Sequence, residues 1–194
     1  MERTHIGELG KKVGEEVLIK AWVHIRRDQG KLIFFDFRDK SGFVQGVILP
    51  NAKEAHEVGS KLRSEWVVEV KGKINKRPDK NVNAGVQNGD IELEILAITV
   101  LSEAATPPLP LDTNGTEIDE EVRMKYRYLD LRRRRMLENL MLRHKVSMLV
   151  RNYLTGQGFT EIETPTLTKT APEGARDFLV PSRYSPGEFY ALPQ

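Results

Sequence analysis

The sequence predicts an α+β chain: a small closed barrel of five strands, a hinge, and the start of a second unit built of helices and antiparallel sheet. Three observations carry this. Between Val17 and Leu101 the apolar residues fall in short strand-like runs separated by turn formers. Residues 104 to 117, "AATPPLPLDTNGTE", gather proline, glycine and other turn formers. Beyond residue 118 the apolar spacing becomes that of a helix.

Element by element, "VLIKAWVHIRR" gives way at "DQGK" to "LIFFDFRD", and at "KSG" to "FVQGVIL", a three-strand meander with glycine-containing turns. In the polar stretch that follows, Ala52, Ala55, Val58 and Leu62 are spaced for one face of a short helix. Then come "WVVEVKGKI", a polar loop from Asn75 to Asp90, and "IELEILAITVL". Three strands, a helix and two strands is the order of an OB-fold barrel. The expected division is residues 1–103 for the barrel, 104–117 for the hinge and 118–194 for the second unit. In the last, Thr116 and Asp119 have capping-box spacing ahead of "EEVRMKYRYLDLRRRR". Leu142, Val146, Leu149 and Tyr153 mark a second helix, which Gly156 and Gly158 stop. "FTEIETPTLT" reads as extended, with Pro165 allowing only an edge or terminal strand position. One long helix with one or two strands cannot bury its own apolar face, so this unit is expected to be incomplete.

Composition excludes several classes. The formal net charge of +2 says little, but Arg26, Arg27, Lys31, Lys71, Lys73, Lys76, Arg77 and Lys80 collect in the first half. With no cysteine there is no disulfide framework, thiolate metal site or cysteine nucleophile. No apolar run approaches the ~20 residues of a membrane span, and a cytoplasmic protein is expected. The four histidines lack metal-ligand spacing, so no metal site is expected. There is no P-loop, GxGxxG, HExxH or GxSxG.

The candidate chemistry lies on the barrel. In "LIFFDFRD", alternation puts Ile33, Phe35 and Phe37 on one face and Phe34 on the other, with Asp36 and Arg38. Phe34 is either buried at a twisted end of the strand or a ring offered to an unpaired base. OB-folds use the face of strands 2 and 3 for single-stranded nucleic acid, and there Phe34 stands between Arg27 and Gln45. Glu92 is repelled by phosphate but suits the N1 and N2 donors of a guanine. Arg77, Asn81 and Asn83 are weaker candidates in the long loop. The run Arg132 to Arg135, beside Asp130 and Glu138, fits a solvated helix face at least as well as nucleic acid.

The string "GFTEIETPTLTKTAPEGARDFLVPSR" at 158–183 resembles motif 1 and the following loop of class II aminoacyl-tRNA synthetases, those of the bacterial aspartyl-tRNA synthetases in particular. "KYRYLDLRR", "LIFFDFRD" with "GFVQGV", and "GEFYALPQ" fit the same family, so the likeness spans essentially the whole chain. It departs at Ala171, before Pro172, and at Phe178 in place of the usual tyrosine. The resemblance implies an anticodon-binding OB barrel and a class II catalytic domain. It implies an enzyme that uses ATP and magnesium to form aspartyl-adenylate and charges tRNA with aspartate. It implies anticodon contacts by Arg27, Phe34, Gln45, Arg77, Asn81, Asn83 and Glu92, and a loop carboxylate, Glu173, meeting the substrate ammonium. Gln29 and Lys80 lie in loops that differ between branches charging one tRNA or two. Motif 1, with Gly158, Phe159 and Pro165, implies a homodimer. Asparaginyl- and lysyl-tRNA synthetases share the barrel and motif 1, although "PEGARDF" argues against both, and a non-catalytic RNA-binding module is the other alternative. The motif 2 and motif 3 arginines that hold ATP are absent. No catalytic residue is therefore assigned, and this chain alone is expected to be inactive with no cofactor bound. Aspartate-dependent ATP–pyrophosphate exchange should stay at background, and exchange above it would contradict the expectation.

Overall fold

The structure, a computed structural model, describes residues 1–169 and 177–192. Residues 1–139 form one compact unit, and a second begins at Leu140. In the first, strands β1 (Glu16–Asp28), β2 (Ile33–Asp39), β3 (Gly42–Ile48), β4 (Val67–Lys76) and β5 (Ile91–Ser102) close a barrel in the order β1-β2-β3-β5-β4. Every pairing is antiparallel except the parallel closure of β3 on β5. Helix α1 (Lys53–Lys61) lies between β3 and β4 in sequence, as the sequence predicts for an OB-fold.

Alternation fills the interior. Val17, Ile19, Ala21 and Val23 of β1, Ile33, Phe35 and Phe37 of β2, and Ile91, Leu93 and Ile95 of β5 are all buried in one cluster. The Phe35 and Phe37 rings stack with centroids 5.3 Å apart. Two backbones approach too closely for a side chain: a Cβ on Gly46 would sit 2.8 Å from the Phe37 ring, and one on Gly59 of α1 2.4 Å from Ile48 Cδ1. Ala55 and Leu62 are buried, so α1 packs its apolar stripe on the same cluster.

The proline-rich segment is tied to the barrel. Trp66 Nε1 donates to the Ala104 carbonyl at 3.0 Å, and Leu109 and Leu111 are buried. After it come α2 (Glu120–Lys125), α3 (Arg127–Asp130) and α4 (Arg134–Gly156). The capping-box expectation is corrected here. Asp119 itself is the N-cap, its Oδ1 accepting from Glu121 N at 2.9 Å, while the Thr116 hydroxyl turns to Glu117. "EEVRMKYRYLDLRRRR" is not one helix either, because Tyr126 leaves helical geometry at φ −109°, ψ 42°. The breaks let Arg123, Arg127 and Arg133 converge on the fully buried Asp130.

The helix-face reading fails for Arg132 and Arg133, which both precede the start of α4. Arg132 pairs with Glu65 at 2.9 Å and lies 5.0 Å from the Trp22 ring. Arg133 is wholly buried, its Nε on Asp130 at 2.9 Å and its Nη1 on the Thr113 carbonyl at 3.0 Å. Arg135 donates to the Asn114 carbonyl, and Arg134, paired with Glu138, fits the solvated-face reading.

In the second unit Leu142, Val146, Leu149 and Tyr153 recur along α4 as expected, and all four are exposed. Gly158, at φ +87°, follows the helix end in the left-handed conformation that glycine adopts without strain. "FTEIETPTLT" joins a sheet only at Thr168, which exchanges two hydrogen bonds with Ala191. The sequence reading omitted the hairpin of β6 (Phe178–Pro181) and β7 (Phe189–Leu192).

Burial acts to raise the Asp130 carboxyl, but hydrogen bonds from Arg123 and Arg133 outweigh it and hold the group below its ordinary value. A carboxyl lowered in the folded state contributes stability above its unfolded pKa and loses it as pH falls through the folded value. Asp130→Asn should therefore cost about 3 kcal/mol at neutral pH. The gap from the parent should narrow below about pH 4. Urea unfolding across that range checks both, and equal stability at neutral pH would contradict the role.

Candidate nucleic-acid interface

The outward residues of the barrel are fixed by the inward ones. Arg27 of β1 stands opposite Phe34 of β2, and Phe34 opposite Val47 of β3. Two residues along, Asp36 stands opposite Gln45. The parallel register of Gly46 with Leu93 and Val47 with Glu94 carries both rows onto β5, where Glu92 and Glu94 face outward. Arg27, Phe34, Gln45 and Glu92 thus share one outer surface across four adjacent strands.

Phe34 is partly exposed and stands outside the buried core, unlike Phe35 and Phe37 on either side of Asp36. The polar groups around it are held in place. Arg27 donates Nη1 and Nη2 to the two Asp36 oxygens at 2.7 and 2.8 Å, which raises the arginine's pKa above its ordinary value. Arg77 Nη2 donates to Gln45 Oε1 at 3.0 Å, and among the described residues the Gln45 amide nitrogen has no hydrogen-bond acceptor. Asn75 donates to Glu94 at 2.8 Å. Among the described residues, no side chain pairs with the Glu92 carboxylate, which is partly exposed.

Asn81 and Asn83 are exposed in the β4–β5 loop, where Asn83 caps its own turn through Gly85 N. Gln29 and Lys80 are also exposed, in the β1–β2 and β4–β5 loops. Gly158, Phe159 and Pro165 are exposed in the second unit. Glu173 lies outside the described residues. The sequence reading gave no role to Asp36, Asn75 or Glu94, although alternation within "FFDF" and "ELEIL" already puts the two acids on this outer surface. Among the described residues no three His, Cys, Asp or Glu side chains are gathered to hold a metal, and no helix is long and apolar enough to cross a membrane.

Known proteins match along the whole chain. Residues 17–101 match the family described as an OB-fold nucleic acid binding domain, and 119–194 the family described as tRNA synthetases class II (D, K and N). The aspartate–tRNA(Asp/Asn) ligase of Geobacillus sp. (strain WCH70) is 52% identical over 98% of this chain and 32% of that protein. The aspartate–tRNA ligase of Staphylococcus carnosus is 48% identical over 94% of this chain and 31% of its own length. The chain therefore spans about a third of the curated relatives it matches. Among solved structures, a Leishmania major protein assigned as an aspartyl-tRNA synthetase superposes with a TM-score of 0.81 at 25% identity, covering 100% of this chain and 39% of that one. An asparaginyl-tRNA synthetase from Pyrococcus horikoshii, bound to asparaginyl-adenylate, gives 0.80 at 24% over 100% of this chain and 43% of that one, a likeness of fold alone.

Proposed function

We propose that this chain belongs to the class II aminoacyl-tRNA synthetases, and that, spanning about a third of the length of the bacterial aspartate–tRNA ligases it matches, it supplies anticodon recognition to an enzyme charging tRNA with aspartate. The observation that carries this is the ring of Phe34, partly exposed on the barrel's outer surface, opposite Arg27 on β1 and diagonal to Gln45 on β3. An unpaired base stacked there meets directional donors on both sides, and one stack is worth ~1 to 3 kcal/mol. Glu92, with no side-chain partner among the described residues, presents an acceptor pair to the N1 and N2 protons of a guanine. Arg77 serves by holding Gln45, and Asn81 and Asn83 stand ready in the loop for phosphate or base edges. Gln29 and Lys80, also in loops beside this surface, are the proposed sites of discrimination between aspartate and asparagine tRNAs.

Activation of aspartate by ATP with magnesium belongs to the whole protein under this reading, in the cytoplasm. Glu173 is proposed to meet the aspartate ammonium. A homodimer through motif 1 is proposed as well, and the exposed Phe159 and Ile162 give that segment apolar surface to bury.

The chain should bind the aspartate anticodon stem-loop more tightly than a stem-loop of scrambled anticodon. Phe34→Ala should weaken the matched complex by ~1 to 3 kcal/mol. Fluorescence titration measures both. Unchanged affinity in a folded Phe34→Ala barrel would exclude the stacking role, and indifference to anticodon sequence would favour a generic binder.

A further inference from the structure

On a surface that binds RNA, a carboxylate needs a reason. Asp36 stands at its centre, two residues from Phe34 and opposite Gln45, where a phosphate would be repelled. Stability is not that reason, because the Arg27 and Asp36 side chains are 43% and 24% exposed, and pairs this wet contribute little. Nor does Asp36 cap a turn or satisfy a buried donor. Its only side-chain partner among the described residues is Arg27, held by two parallel bonds of 2.7 and 2.8 Å.

Those two bonds change what Arg27 can do. A free arginine on a strand end sweeps a wide volume and is drawn to phosphate as a cation. The bidentate grip fixes the guanidinium plane and uses one proton of each Nη. It also sets a negative charge against the positive one. What remains is directional: the Nε proton and the second proton of each Nη, on a residue that stands opposite Phe34 in the β1–β2 pair. Such a group reads a base edge through geometry rather than attracting any backbone through charge.

We propose that Asp36 is a positioning residue that converts Arg27 from a phosphate binder into a base reader, and so contributes to sequence discrimination without touching RNA itself. This rests on the anticodon-binding reading above. The claim differs from a structural role because it predicts opposite effects on specificity and on general affinity. Without the carboxylate, Arg27 recovers its full cationic reach. It should then neutralise one more phosphate, on any sequence, and hold no fixed orientation toward the correct base.

The test is titration of the full chain with matched and scrambled anticodon stem-loops over a range of salt, for the parent, Asp36→Asn and Asp36→Asn/Arg27→Gln. Asparagine keeps the shape of Asp36 and removes its charge. Asp36→Asn should lower the ratio of matched to scrambled affinity about 10-fold. The slope of log K against log salt should steepen by about 0.7 to 0.9 for both RNAs. Removing Arg27 in that background should return the slope to the parent value while discrimination stays lost. An unchanged slope in Asp36→Asn overturns the proposal, whether discrimination holds or both RNAs weaken equally. Phe34→Ala, measured alongside, separates the two levels. If it binds matched RNA as well as the parent does, the anticodon reading itself fails; if it weakens binding while Asp36→Asn changes nothing, only the role of Asp36 fails.

Discussion

A closed barrel leaves each strand two faces and no edge, and that constraint governs everything on this one. Once Ile33, Phe35 and Phe37 occupy the interior, the intervening residues have no choice of side. A slip of one residue in β2 would bury Asp36 and expose two rings. The large apolar side chains thus set the register, and the register places Phe34 and Asp36 outward with an accuracy that loops do not provide. The parallel β3–β5 pairing extends this to residues distant in sequence, since closure brings Gln45 beside the strand that carries Glu92. Gly46 has no side chain because a Cβ in its place would collide with the Phe37 ring.

A second constraint joins the barrel to the segment after it. Trp22 lies between two guanidiniums, Arg38 at 5.6 Å and Arg132 at 5.0 Å, and both arginines pair with the buried Glu65. Glu65 adopts φ +70°, an uncommon backbone for a residue with a side chain. The Arg38–Glu65 bidentate bonds and the ion pair with Arg132 surround it with partners that compensate its desolvation. Together with Asp130 and its three arginines, these bonds give residues 104–133 a fixed seat on the barrel. A proline-rich stretch need not be a loose tether when polar anchors follow it.

Strand order, the helix between β3 and β4, and the inward residues were all legible in the sequence, because period-two alternation is a local signal. The arginine run was not. Arg132, Arg133, Arg134 and Arg135 look alike in one dimension, yet one pairs across to the barrel, one is wholly buried, one pairs along its own helix and one holds a carbonyl. The roles of Arg132, Arg133 and Arg135 depend on Glu65, Thr113 and Asn114, partners far away in the chain, and no spacing rule reports those. The capping signal failed for a local reason: Asp119 suits the cap as well as N3, and the helix starts at Glu120 with Asp119 as its N-cap. On the outer surface, Asp36 and Asn75 orient others and had no sequence signal for that role, whereas Arg77, which holds Gln45, was already a candidate. Asp36, Asn75 and Glu94 gain meaning only from neighbours on adjoining strands.

The near-neutral net charge follows the same division of labour. A protein that held RNA by its phosphates alone would need a strongly basic surface, and its affinity would rise for every sequence alike. Here the outer surface around Phe34 carries Asp36, Glu92 and Glu94 against Arg27 and Arg77, so it offers little net attraction to a backbone laid directly on it. Exposed lysines stand at its rim instead: Lys31 in the β1–β2 loop, and Lys76 and Lys80 around the β4–β5 loop. Under the anticodon reading, this geometry favours a strand whose phosphates follow the rim and whose bases turn inward. A strand in the opposite orientation would bring phosphates against carboxylates and leave Phe34 without a base to stack on. On that reading, charge selects the orientation before any base is read.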